Sequence, residues 1–317
     1  MADIVLFGPL LRVGAVTTIS AMASPQISSD TLQANGLRFT IRTAGPSDGE
    51  PVLLLHGFPD DAATFDDQLR ALADAGYRAL APTMRGYEPS AQPADEDYDA
   101  LTLAGDVVAW LDAAGYERAH IVGHDWGAVV GYLVAGHHPE RCLSVTTMAV
   151  PPVTRLPEAI RRVPRQALLS WYMTFFQVRW VAERALRARR WALLRWLWPR
   201  WSPGLQAPPR LVETFEQPGV LRAALAYYRQ NATPPVLLGL RRAPAMEQVP
   251  FDVPLMIMHG DRDGCIDARM FSHAIVDEDI PQGVRHHVVR GVGHFLHLED
   301  PAEVNRLLLD WLADPTP

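Results

Sequence analysis

Lysine is absent: every basic residue other than histidine is arginine, 29 of them among 317 residues. We read this as a preference for GC-rich codons, without functional content. Cysteine is nearly absent too. Cys142 and Cys265 stand singly in apolar or turn contexts, which excludes a disulfide framework and a cysteine metal cluster and suits a reducing cytoplasm. Excess positive charge is also lacking. The formal net charge is -7, so no global basic field argues for nucleic acid or another acidic polymer as partner. With 48% hydrophobic and 21% charged residues, the chain has the composition of one large domain or of a domain carrying a sizeable insertion.

A long unbroken apolar run is missing as well. Residues 4–20 are mostly apolar and Ala21-Met22-Ala23 resembles a signal-peptidase site. Against export stand Asp3, the lack of a basic leader, and Arg12, which splits a run already too short for a membrane span. The reading is a cytoplasmic protein with a dispensable extension over residues 1–30, for which Met22 is a candidate natural start. The Arg- and Trp-rich stretch from Arg179 to Trp201 is read as a solvated face with tryptophans packed beneath rather than as an interfacial helix, so membrane association is not expected.

What the sequence does contain is a series of short runs rich in Val, Ile and Leu: 37–42, 52–56, 77–81, 120–123, 143–148, 255–259 and 285–289. Helix-length segments separate them. Continuous apolar runs are strands buried on both faces, and helical crossovers make the sheet parallel, which predicts a doubly wound α/β fold. The alternation stops between about Pro152 and Pro250, where no buried-strand run appears and helical periodicity is plausible. The expected division is a core of residues 31–151 and 251–317 with a helical cap of residues 152–250.

His120 through Val134 reads as strand, tight turn and helix, with Asp125 at the apex of Gly123-His124-Asp125-Trp126-Gly127. Gly123 and Gly127 let strand and helix approach closely, and the helix N-terminus favours an ionised carboxylate at the apex. A simple helix cap would use the same residue type. The chemistry of the residue type argues further. Hydrolases that attack carbonyls place serine on such a turn, whereas a carboxylate attacking a saturated carbon forms an ester that water can cleave. That ester needs a base, and His294, after a predicted strand and Gly291-Val292-Gly293, is the candidate ahead of His297. His124, beside the apex, is read as structural. An acid must orient the imidazole, and Asp261 and Asp263 both follow the 255–259 strand.

His56-Gly57-Phe58-Pro59, Arg85-Gly86-Tyr87, the Gly-His-Asp-Trp-Gly turn, His259-Gly260-Asp261-Arg262-Asp263 and Gly291-Val292-Gly293-His294 occur in that order. Over roughly residues 37–312 the chain resembles the epoxide hydrolase and haloalkane dehalogenase branch of the α/β-hydrolases. The resemblance implies an α/β-hydrolase fold with a helical cap, Asp263 rather than Asp261 as the acid, backbone donors at Phe58 and Trp126 for an oxyanion, and a cis bond before Pro59. It also implies that two cap tyrosines hydrogen-bond an epoxide oxygen. The matching positions are Tyr172 and Tyr228, with Tyr227 as a substitute for the second.

The leaving group separates the two branches. A halide needs only N–H donors, while an alkoxide, whose conjugate acid has a pKa of about 16, needs an acid such as tyrosine with a pKa of about 10. The expectation is therefore an epoxide hydrolase acting through Asp125, with a haloalkane dehalogenase using the same triad as the alternative and a non-catalytic binding homologue as a minor one. Neither metal nor cofactor is expected. Trp126, Trp171, Phe175 and Phe176 are assigned to binding a small apolar epoxide, and the protein is expected to be a monomer or homodimer.

Overall fold

The computed structural model describes residues 25–238, 240 and 250–316. Eight strands form one sheet: β1 Ser28–Ala34, β2 Leu37–Ala44, β3 Pro51–Leu55, β4 Arg78–Pro82, β5 Ala119–His124, β6 Cys142–Met148, β7 Leu255–Gly260 and β8 Val284–Val289. Their order across the sheet is β1-β2-β4-β3-β5-β6-β7-β8. From β4 to β8 all pairings are parallel, and β1 and β2 join antiparallel at one edge. Every residue of β5 and β7 is buried, which is why these strands carry the apolar runs Ile121-Val122 and Leu255–Met258.

The first strand corrects the sequence reading. β1 occupies part of the stretch taken as an extension and begins before Leu37, where the apolar pattern starts. Its first four residues are exposed, so an edge strand of polar residues gives no hydrophobic signal. The expectations for residues 1–24 lie outside the described residues.

The helices α1 Asp66–Asp74, α2 Ala100–Ala114 and α3 Trp126–His137 cross between the early strands. Among the described residues seven α-helices stand between β6 and β7: α4 Leu156–Arg162, α5 Arg165–Leu169, α6 Trp171–Phe176, α7 Val181–Trp201, α8 Pro209–Glu216, α9 Val220–Asn231 and α10 Pro234–Leu237. The chain then closes with α11 Phe271–Ala274, α12 Leu296–Glu299 and α13 Pro301–Ala313. Helix α7 is broken at Arg189, Arg190 and Trp191, which all have positive φ. Below this break the expected packing is seen, with Trp191, Trp198 and Trp201 buried, although Trp180 and Trp196 are exposed. Among the described residues no helix is long and apolar enough to cross a membrane.

Polar contacts fasten this helical layer to the sheet. Arg210 on α8 forks onto Asp60 at 3.1 and 3.0 Å, and Thr214 donates to Asp61 at 2.9 Å. Burial pushes the Asp60 carboxyl up to about 6, against the opposing pull of Arg210. On the far side Arg155 forks onto buried Asp279, both bonds at 2.6 Å. Asn231 on α9 binds the backbone of Tyr98 and Ala100. A planar guanidinium matched to a carboxylate fixes orientation as well as distance, so the cap is held in register over the sheet.

Candidate active site

Asp125 lies between β5 and α3 with φ 52° and ψ -118°, a conformation that costs a non-glycine residue of order 1–3 kcal/mol. The glycines around it make the turn sterically feasible. A Cβ on Gly123 would come 2.1 Å from the Gly127 carbonyl oxygen, one on Gly127 1.9 Å from that of Leu55, and one on Gly57 2.5 Å from Asp125 Oδ1. Asp125 occupies the N-cap position of α3, yet its side chain makes no capping hydrogen bond. The carboxylate is turned elsewhere. Oδ1 accepts from Phe58 N–H at 2.8 Å, and Oδ2 lies 3.2 Å from His294 Nε2. The Phe58–Pro59 peptide is cis. Of the two amides expected to serve this oxygen, that of Phe58 bonds it; among the described residues Trp126 N–H is not a partner.

His294 is fully buried and held from several sides. Its Nδ1 is 2.9 Å from Asp263 Oδ2, its backbone N–H donates to the Trp201 carbonyl at 2.9 Å, and its carbonyl accepts from His124 Nε2 at 2.9 Å. Asp263 is positioned in turn by the amides of Cys265 and Ile266, both donating to Oδ1. Burial alone would lower the imidazole pKa, but the Asp263 charge, followed by the bonds and charge of Asp125, outweighs it and raises the value to about 10. Burial opposes ionisation of Asp125 also, and the His294 contact holds its pKa below the usual range. The resting pair is therefore carboxylate beside imidazolium.

A cavity of about 100 Å³ opens at Asp125. Its core-side wall is Trp126, Val129, Val150 and Ile266; the cap contributes Leu156 and Ile160 from α4, Met173 from α6, Tyr228 and Asn231 from α9, and Val236 from α10. The Tyr228 ring stands edge-on to Phe58 at 5.3 Å and to Trp126 at 5.2 Å. The Tyr172 ring is 6.1 Å from that of Tyr228 and 4.9 Å from Trp201, which itself lies 5.9 Å from the His294 ring. Burial raises both phenols well above 10, so each is neutral and carries a proton.

The alpha/beta hydrolase fold pattern matches residues 50–301. The chain belongs to that family. This hydrolase is 32% identical to "Epoxide hydrolase A" of Mycobacterium tuberculosis, across 89% of its own length and 96% of the relative's. It is 30% identical to "AB hydrolase superfamily protein YfhM" of Bacillus subtilis, across 89% and 97%. Among solved structures, a mutant of an epoxide hydrolase from Bacillus megaterium complexed with a naphthyloxy-propane-1,2-diol product superposes with a TM-score of 0.79. That likeness covers 90% of this chain and all of the other, at 25% identity. An epoxide hydrolase from Vigna radiata gives 0.74 at 26% identity, across 90% and 98%.

The rival residues in this hydrolase have other partners. Asp261 Oδ1 accepts from Gly291 N–H at 2.6 Å and so ties the loop before His294. Tyr227 donates to the Arg85 carbonyl at 2.7 Å. His297 Nε2 is 2.7 Å from Thr64 Oγ1, and burial drives its pKa well below 6.5; burial likewise takes His124 to about 3. Of the residues assigned to the pocket, Trp126 lines the cavity. Trp171 does not: it is 42% exposed and packs against Phe175 and Trp196. Phe176 is buried against Phe58 and Tyr228, behind the cavity wall. On α6 the pairs Trp171/Phe175 and Tyr172/Phe176 are each four apart and form two stripes, and Met173, between them in sequence, reaches the cavity. Leu156, Ile160 and Val236 were missed because isolated apolar residues in a helical region carry no mark of which face they serve.

One cluster of metal-ligand type occurs among the described residues, Asp263, Cys265 and His294, with ligand atoms within 4.8 Å of one another. Two of its three members are already bonded to each other, which suits proton handling.

Proposed function

We propose that this hydrolase converts a small apolar epoxide to a vicinal diol through an ester on Asp125. The observation that carries the reading is the asymmetry of that carboxylate: Oδ1 is tied to an amide, while among the described residues Oδ2 has His294 as its one hydrogen-bond partner, and the group borders an apolar cavity with a neutral phenol. Oδ2 is thus the attacking atom. It forms a bond to one ring carbon as the bond from that carbon to oxygen breaks. The O–H groups of Tyr172 and Tyr228 receive the growing charge, and the His294 imidazolium is the net source of the proton that completes the new hydroxyl.

Esterification cancels the Asp125 charge and with it one of the two influences that hold the His294 proton. The imidazole becomes a base. It takes a proton from water, whose oxygen bonds to the ester carbon, and the oxyanion forms at Oδ1 with Phe58 N–H as donor and Trp126 N–H as the second. Collapse breaks the bond between that carbon and Oδ2, which departs with the diol while the water oxygen takes its place in the carboxyl group. The added hydroxyl's proton passes to the departing diol, restoring carboxylate and imidazolium. Asp263 orients the ring and stabilises its cation. The steps call on neither metal nor cofactor, and Trp126 supplies the apolar wall beside the reacting carbon. The division into cap, residues 152–250, and core, residues 31–151 and 251–317, belongs to the same proposal.

Changing His294 to Gln tests this directly. The ester should accumulate, adding the mass of the epoxide to the protein; an unmodified variant that still turns over sinks the assignment. In a mixed panel, halide release without activity on any epoxide would transfer the triad to haloalkane chemistry. Epoxide unchanged after long incubation with wild type would leave a binding protein.

A further inference from the structure

Cys265 takes no part in the steps above, yet it touches two residues that do. Its side chain is 1% exposed, forms no disulfide, and brings Sγ to 3.2 Å from Tyr172 Oη. Among the described residues Sγ is the hydrogen-bond partner of that phenol. Its own backbone N–H donates to Asp263 Oδ1 at 2.6 Å. Gln166 pins this loop to the cap, donating to the Cys265 carbonyl at 3.0 Å and accepting from Asp267 N–H at 2.8 Å. The thiol is therefore fixed relative to both the cap tyrosine and the triad.

The contact can run in two directions, because thiol and phenol each carry one proton. A phenol donating to sulfur has no proton left for a departing oxygen. A thiol donating to Oη leaves the phenol hydrogen free to point elsewhere, and its own hydrogen meets the negative charge that grows on Oη as the phenol donates. We infer that Cys265 is a positioning residue, whose S–H donates to Tyr172 Oη and so directs the phenol proton to the epoxide oxygen. This rests on the reading of Tyr172 as a proton donor to the substrate.

Infrared difference spectra and stopped-flow kinetics test it together. Wild type minus Cys265→Ala isolates the Cys265 S–H stretch from that of Cys142. The band is expected below the frequency of a free thiol and should move up in Tyr172→Phe; a free-thiol band in wild type, or one that Tyr172→Phe leaves in place, overturns the assignment. Tryptophan fluorescence separates ester formation from ester hydrolysis. Cys265→Ala should slow formation about fivefold, the worth of one hydrogen bond, with hydrolysis unchanged, and Cys265→Ser, which keeps a donor, should restore it. Equal slowing of both steps in both variants marks a packing role and overturns the inference. Wild type that forms no ester at all refutes the parent reading, an outcome visible before any variant is compared.

Discussion

Replacing Asp125 with Asn mimics the charge change of esterification and should release the proton from His294. The two groups are 3.2 Å apart. At an effective dielectric of about 20 their attraction is about 5 kcal/mol, or about four pKa units, comparable to the whole displacement of His294 from 6.5 to about 10. With Asp125 neutral, only Asp263 opposes the burial of the ring, and the imidazole should titrate at about 7 or below. The assay is a pH titration of the histidine ring carbons by NMR, with the His294 resonance identified by its loss in His294→Gln. The other ten histidines serve as internal controls. If His294 still titrates near 10 in Asp125→Asn, the nucleophile does not hold that proton. Switching the imidazole from acid to base by alkylation would then be refuted.

Three further outcomes are expected. Tyr172→Phe and Tyr228→Phe should each slow ester formation by about 10- to 100-fold in single-turnover measurements, and the double variant by more; unchanged rates in both would remove the phenols from the mechanism. Gly57→Ala should cost about 100-fold in kcat/KM, because the new Cβ would lie 2.5 Å from Asp125 Oδ1 and must displace it; wild-type kinetics would show that the carboxylate position is not critical. His294 has a folded pKa above its unfolded value, so its contribution to stability is complete below pH 6.5 and is lost as pH rises through about 10. Tm should fall across that window in wild type and fall less in His294→Gln, and parallel curves would contradict the sign.

The mostly parallel sheet and the turn at Asp125 were legible in the residues alone. Buried strands such as β5 and β7 carry apolar runs at Ile121-Val122 and Leu255–Met258, and close backbone approach requires glycine at 123 and 127. These are local demands, written where they act. The sequence did not disclose β1, an edge strand with exposed side chains, nor the turning of the Asp125 carboxylate away from the helix it precedes. Asp261 and Asp263 are equivalent as residues after a strand; the fold sends one to the Gly291 amide and the other to His294. The cap was the least legible part. Consecutive residues on a helix point about 100° apart, so Tyr227 reaches the Arg85 carbonyl while Tyr228 faces the cavity, and Trp171 meets solvent while Tyr172 is buried. Hydrophobicity marks all of these as residues to be covered. Which of them looks into the site is set by how the cap helices pack on the sheet, through contacts between residues more than a hundred positions apart.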